Sequence, residues 1–242
     1  MRDYLATVQT HYPSAQITRE ALDRYLEIIK IKLSLQPSQI ALADSLCCDE
    51  VDSLQFPKND MIGPFKMGGL GGYPFAGLTG MAAFSSHIPE GGGAILFYGP
   101  HIGITRDGTI GKTKRAGQQT HSRCCGSATG ALSNFLDNNI KPADITGPDY
   151  QQQVIEQLLL EQGKRLKGTE KPVWETIQIL YEAIDQQISF LIGQTAFPCQ
   201  YIIKCGGIFI NGDNGEGSFW DAKRFEAIDT ETNETIQLLE NQ

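Results

Sequence analysis

The sequence predicts a three-layer α/β domain built on a central, mostly parallel sheet. Three observations carry that prediction. Short apolar runs of strand length alternate with segments of helical periodicity along the chain. The strongest run, residues 94–98 (AILFY), is bounded by Gly91-Gly92-Gly93 and Gly99-Pro100, the punctuation of a short buried strand. Cysteine and histidine residues sit directly after predicted strands or before predicted helices, where open α/β sheets place their chemistry.

The elements follow in order. The opening arm, residues 1–36, is helical: Leu22, Tyr25, Leu26, Ile29 and Leu33 recur at helical spacing, and Thr18 can cap the segment. Residues 39–46 (QIALADSL) read as a strand that ends at Cys47. Residues 63–80 (GPFKMGGLGGYPFAGLTG) read as a glycine-rich loop, with a helix from Gly77 towards His87. After the 94–98 strand, Asp107-Gly108 marks a hairpin turn between Ile102-Gly103-Ile104 and Thr109-Ile110. Helices are expected over 126–137, 148–166 and 172–192. Residues 201–210 (YIIKCGGIFI) form a strand that 219–228 can pair with, and the polar tail, 230–242, is expected to be weakly ordered. No repeat or low-complexity linker interrupts the chain, so residues 1–242 are read as one domain.

Composition narrows the function. Hydrophobic residues make up 40% and charged residues 20% of the 242, ordinary values for a soluble globular protein. A net charge of −8 without like-charge runs disfavours nucleic acid and anionic membrane surfaces as partners, since both need a basic face. No apolar run reaches the roughly 18 residues of a membrane span, and Met1-Arg2-Asp3-Tyr4 lacks a secretory signal's apolar core. Six Cys fall as two adjacent pairs plus Cys199 and Cys205, a poor disulfide framework. The reading is a cytoplasmic protein, or one in a reducing organelle after removal of a transit peptide.

Three distant segments point to one metal ion: 46–49 (LCCD), 98–101 (YGPH) and 124–127 (CCGS). Two thiols and an imidazole suit zinc with an open fourth position. Each cysteine pair leaves a choice. Cys47 puts Asp49 two residues on, towards the same side of an extended chain. Cys125 directly precedes Gly126, at a helix N-terminus whose dipole favours a thiolate. The candidate ligands are therefore Cys47, His101 and Cys125. On residue type alone, the small core residue is the favoured reading of these Cys, and the metal reading gains only when the three segments are taken together. His87 suits a helix-ending, capping role, His121 a solvated loop beside Arg123, and His11 has no assigned role. Residues 106–113 (RDGTIGKT) lack the first glycine of a phosphate loop, and Gly69-Leu70-Gly71 begins a dinucleotide fingerprint that Pro74 breaks.

Residues 68–80 (GGLGGYPFAGLTG), 86–92 (SHIPEGG), 98–103 (YGPHIG) and 124–127 (CCGS) resemble the limiting-CO2-inducible B/C proteins of algae and their bacterial relatives, which include the theta-type carbonic anhydrases. The resemblance runs from about Leu22 to about Phe225. It implies a β-carbonic-anhydrase-like fold, a homodimer, and a Zn2+ site of Cys47, His101 and Cys125. It implies reversible hydration of carbon dioxide to bicarbonate and a proton, with Asp49 orienting the reacting water. In the β class the first ligand opens a Cys-x-Asp-x-Arg motif; here Val51 stands at the Arg position. The other two ligands form His-x-x-Cys-Gly there; here a hairpin is inserted between His101 and Cys125. Another arginine must then hold Asp49 off the metal, with Arg123 the first choice, followed by Arg106 and Arg115. Tyr73, Phe75, Phe84 and His87 are the expected substrate pocket. Two alternatives stand beside the enzyme: a non-catalytic zinc- or bicarbonate-binding member of the same fold in a carbon-concentrating assembly, and a thiol or redox protein.

Overall fold

The computed structural model describes residues 1–52, 60–142, 144 and 146–239. Helix α1 (Arg2–Gln9) leads through a two-residue strand β1 (Gln16–Ile17) into α2 (Thr18–Leu33). One stripe of α2 is buried, Ala21, Leu22, Tyr25, Ile29 and Leu33, and Lys30 and Lys32 in its last turn complement the helix dipole. Thr18 does not cap this helix. Ile17 holds the cap position in extended conformation because β1 is paired into the sheet, so Thr18 is drawn inside as the first helical residue, its buried Oγ1 without a partner.

The sheet is assembled from β2 (Ile40–Ser45), β3 (Ile62–Lys66), β4 (Gly93–Tyr98), β5 (His101–Gly103), β8 (Tyr201–Asn211), β9 (Ser218–Asp229) and β10 (Thr235–Gln237), with β1. Between β5 and β8 lie a separate two-stranded ribbon, β6 (Lys112–Thr113) with β7 (Ser122–Arg123), and helices α4 (Gly126–Leu136), α5 (Tyr150–Glu161), α6 (Gly163–Lys167) and α7 (Pro172–Gly193). Helix α3 (Gly77–Ser85) joins β3 to β4. Strand order is β1-β9-β8-β4-β2-β3, with β5 continuing along β8 and β10 along β9. The run from β3 through β2 and β4 to β8 is parallel, and β9, β1 and β10 add antiparallel neighbours.

Burial explains why the parallel half was legible. Every residue of β2 and β4 is buried, as a strand covered on both faces requires; β4 reads as an apolar run throughout, and β2 does so up to Ala43, with Asp44 and Ser45 buried at its end. On one face α2 packs Leu22, Tyr25 and Ile29 against Ile95, Phe97, Ile203 and Phe225. On the other, Met81 and Phe84 of α3 and Ile184 and Ile188 of α7 cover Ala41, Leu96 and Ile202. A third cluster joins α4, α5 and α7 to Ile102, Ile208 and Ile210, beyond the C-terminal ends of β2 and β4.

Several expectations are corrected. Residues 62–66, read as the edge of a loop, form β3 beside β2; its largely exposed positions and its Pro64 hide the strand pattern. The helix expected over 148–166 breaks at Gln162, directly before Gly163. The tail is not loose up to residue 239: β10 pairs with β9, and Leu238 is fully buried. Among the described residues no helix is long and apolar enough to cross a membrane.

Candidate metal centre

The three proposed ligands are delivered by three different strand ends. β2 stops at Ser45, and Cys47 follows two residues later, after Leu46. β4 stops at Tyr98, turns through Gly99-Pro100, and resumes as β5, whose first residue is His101. Register along β8 fixes that histidine opposite Phe209. Cys125 is the N-cap residue of α4. Close backbone approach makes the convergence possible. A Cβ on Gly103 would collide with the Lys112 carbonyl oxygen and come within 2.9 Å of Cys124 Cβ. Gly72, at φ +81°, lies against the Gly99 carbonyl, so the glycine-rich loop packs directly beside the turn into His101.

Cys47, His101 and Cys125 are all buried, and their donor atoms lie within 4.8 Å of one another. The two sulfurs are 3.9 Å apart. Thiolates sharing one tetrahedral zinc at about 2.3 Å each would be about 3.8 Å apart, so the pair has the right span. Asn211 Nδ2 donates to the Val51 carbonyl at 2.7 Å, which turns Asn211 Oδ1 towards His101 Nδ1 at 2.8 Å. Nδ1 therefore carries a proton, and Nε2 is the nitrogen left for a metal ion once its own proton is displaced. That Nε2 is buried with no hydrogen-bond partner among the described residues, an orphan that a metal ion would satisfy. Cys124 Sγ lies 3.7 Å from Nδ1, the nitrogen already engaged. Cys48 is exposed. The donor atoms of Asp49, His101 and Cys124 also lie within 4.8 Å of one another, but with Nδ1 engaged by Asn211 the geometry favours Cys47 and Cys125.

The electrostatics suit a cation. Cys125 is held well below an ordinary thiol's pKa, first by the Cys47 hydrogen bond, then against burial by the His101 charge and the Ala128 N–H. Cys47, the donor in that bond and also buried, is pushed up to about 12. Burial pulls His101 down, but the Cys125 thiolate and the Asp52 carboxylate more than offset it and hold the imidazole well above its usual range. Asp52 accepts the Cys47 N–H at 2.7 Å, and burial pushes its carboxyl up to about 7.

Asp49 sits at the edge of this group, its Oδ2 3.9 Å from His101 Nε2. Arg115 Nη2 donates to the same oxygen at 2.7 Å, and Val51 N donates to Oδ1 at 3.3 Å. Arg115 also binds Glu50 Oε1 through Nε at 2.7 Å and Ser122 Oγ through Nη1 at 2.6 Å. The guanidinium beside Asp49 is therefore Arg115's, the third choice from sequence, and not Arg123's. Arg123 turns its side chain to solvent and contributes only its carbonyl, to Arg115 Nη1 at 3.3 Å. Arg106 is paired with Glu216. The segment inserted between His101 and Cys125 thus carries the arginine that Val51 cannot supply.

The four expected pocket residues divide. Tyr73 packs against the cluster holding Cys47 and Cys125, its ring 5.1 Å from Phe75, which meets Tyr150 edge-on at 5.8 Å. Phe84 and His87 do not join them. Phe84 lies with Met81 on the inward stripe of α3 in the sheet core, and exposed His87 stands edge-on to Phe65 at 5.6 Å. Sequence reasoning missed Asn211 and Asp52. Asn211 did leave a trace, as a polar residue ending an apolar strand.

A family profile described as limiting CO2-inducible proteins B/C beta carbonic anhydrases matches residues 16–229. The crystal structure of PtLCIB4, a homolog of the limiting CO2-inducible protein LCIB, superposes with a TM-score of 0.80 at 26% identity, covering 96% of this chain and 98% of that one. The crystal structure of LCIB superposes at 0.65 with 18% identity, covering 95% and 97%, a likeness of fold. No curated protein matches the chain.

Proposed function

This chain belongs to the limiting CO2-inducible protein B/C family of β carbonic anhydrases, and on that premise we propose that it is a zinc enzyme catalysing the reversible hydration of carbon dioxide to bicarbonate and a proton. The observation that supports this reading most directly is the orphaned His101 Nε2 facing two thiols of zinc-like separation in a buried site.

Cys47, His101 and Cys125 would hold the ion. When bound, zinc supplies Lewis acidity that brings the pKa of an adjacent water to about 7. The remaining work belongs to this chain's own groups. Asn211 fixes the His101 tautomer. Asp49 accepts a hydrogen bond from the reacting water and aims its oxygen at carbon dioxide. Arg115 keeps Asp49 in place as an acceptor and away from the fourth metal position. Tyr73 and Phe75 offer an apolar wall to a substrate with little polarity, and bulk buffer takes the released proton. A homodimer in a reducing compartment completes the reading, the latter fitting six free cysteines.

A second reading, a zinc-binding protein without turnover, rests on one distance. Asp49 Oδ2, 3.9 Å from His101 Nε2, is near enough to become a fourth ligand and close the site. Stopped-flow hydration on protein of verified zinc content separates the two. Fast hydration abolished by a chelator, and lost with zinc in Cys47→Ser and His101→Ala, supports the enzyme. Zinc bound at one per chain with no rate above buffer refutes it and favours the closed site.

A further inference from the structure

The segment between the second and third proposed ligands is basic in an acidic chain. Residues 105–123 carry Arg106, Lys112, Lys114, Arg115 and Arg123 against a single acid, Asp107, in a protein of net charge −8. Two of the five are spent: Arg106 on Glu216, and Arg115 on Asp49 and Glu50. Lys112, Lys114 and Arg123 have no ion-pair partner among the described residues.

Their arrangement works against the ribbon that carries them. Lys112 and Arg123 are directly opposed across the β6–β7 pair, and both side chains are exposed. Opposed residues of an antiparallel pair stand about 5 Å apart at Cβ, and like charges there are destabilising. A two-residue ribbon has little stability to spare for such a pair. An anion between the two cations would turn the repulsion into attraction.

The ribbon is also attached to the metal centre at several points. Cys124 N donates to the Gly111 carbonyl at 3.0 Å, next to Lys112, and Gly103 N donates to the Cys124 carbonyl at 2.9 Å. Arg123 lies two residues before Cys125. Arg115, at the start of the β6–β7 turn, reaches Asp49 at 2.7 Å. A positive surface beside a reaction centre raises the local concentration of an anionic reactant and speeds its encounter.

We propose that the β6–β7 ribbon is an anion-gathering collar whose unpaired cations, Lys112, Lys114 and Arg123, bind bicarbonate beside the metal centre. The inference deepens the carbonic anhydrase reading and rests on it for the identity of the anion. The oxyanion is held by charge and N–H donors without covalent change.

The test is a titration of isotope-labelled full-length protein with sodium bicarbonate, against sodium chloride at matched ionic strength, following backbone amide shifts of residues 112–115 and 122–123. Saturable shifts with bicarbonate, weakened about tenfold in the Lys112→Gln/Arg123→Gln double variant, are expected for two charges about 5 Å from the anion across water. A second readout does not depend on the variant. The parent protein's thermal midpoint should rise more with bicarbonate than with chloride. Equal responses to the two salts would reduce the collar to screening, and unchanged affinity in a folded double variant would place the anion elsewhere; either overturns the proposal. Hydration activity separates this inference from the one beneath it. Bicarbonate bound at the ribbon of a protein without turnover refutes the enzyme and leaves the collar, whereas fast hydration without ribbon shifts does the reverse.

Discussion

Replacing Arg115 with glutamine tests the central mechanical claim about the site. The guanidinium is 17% exposed and the Asp49 side chain 14%, so their 2.7 Å contact is shielded from bulk water. A hydrogen bond to a charged group in such a setting contributes about 1.5–3 kcal/mol. Among the described residues Arg115 alone gives Asp49 Oδ2 a side-chain hydrogen bond, and the other bond to this carboxylate is Val51 N to Oδ1 at 3.3 Å. Freed, the carboxylate has the 3.9 Å gap to His101 Nε2 before it, and a zinc ion held there would attract it. Losing the whole interaction in the transition state would slow hydration by about 100-fold, at about 1.4 kcal/mol per decade. Stopped-flow hydration should show that loss with zinc content unchanged, and a cobalt-substituted sample should report a changed ligand field. Arg115→Lys, which keeps the charge but not the fork, should recover part of the rate. Arg106→Gln, whose partner is Glu216, should lose less than about threefold. Full activity in Arg115→Gln, or an equal loss in Arg106→Gln, would refute the reasoning.

Three more outcomes follow from the geometry. Asn211→Ala removes the acceptor that fixes His101 Nδ1 at 2.8 Å, so zinc affinity in a chelator competition should fall about 10- to 100-fold; Asn211→Asp, which keeps an acceptor, should restore most of it, and equal affinity in all three proteins would show that the tautomer is not set there. Zinc uptake at pH 7 should release about two protons: Cys47, pushed up to about 12, and His101, raised well above its usual range, are protonated in the metal-free fold, while Cys125, well below a thiol's usual value, is not. Because the metal displaces those protons, affinity should rise by about 100-fold per pH unit through neutrality, and calorimetry in buffers of different ionisation enthalpy that returns no protons would sink the assignment. Tyr4→Phe removes a buried hydroxyl that donates to the Ile104 carbonyl and accepts from Asp213 N at 2.8 Å, and denaturant unfolding should register a loss of about 2 kcal/mol.

What the sequence disclosed was local, and what it concealed was carried by distant contacts. The strands at β2, β4 and β8 announced themselves because burial on both faces leaves mostly apolar stretches that need no partner to be recognised. β3 carries Gly63 and Pro64 with a mostly exposed pattern, so neither periodicity nor propensity marks it. The proposed ligands could be picked out for a similar reason: Cys47, His101 and Cys125 each sit beside a strand end or helix start visible in a few residues. Arg115 reaches Asp49 across 66 positions of sequence and Asn211 reaches His101 across 110, and no spacing rule spans such gaps. Arg123 was favoured because it is nearest to a ligand along the chain, but pairing of Lys112 with Arg123 points that side chain outward. Phe84 was placed in the pocket for being aromatic, whereas its helical register with Met81 sends it into the core.

The order in which the sheet's parts leave the ribosome has a consequence for metal loading. All three ligands lie within the first 125 residues, but the strand that sets the register of His101 and the Asn211 that fixes its tautomer come last, at 201–211. β8 is also the strand that joins β4 to β9 at the middle of the sheet. A nascent chain of 150 residues therefore holds every sulfur and nitrogen the ion needs without the frame that aims them. Domains generally fold as units, so on the proposed reading zinc would be acquired by the finished chain, and truncated translation products should bind the metal as loose thiols do.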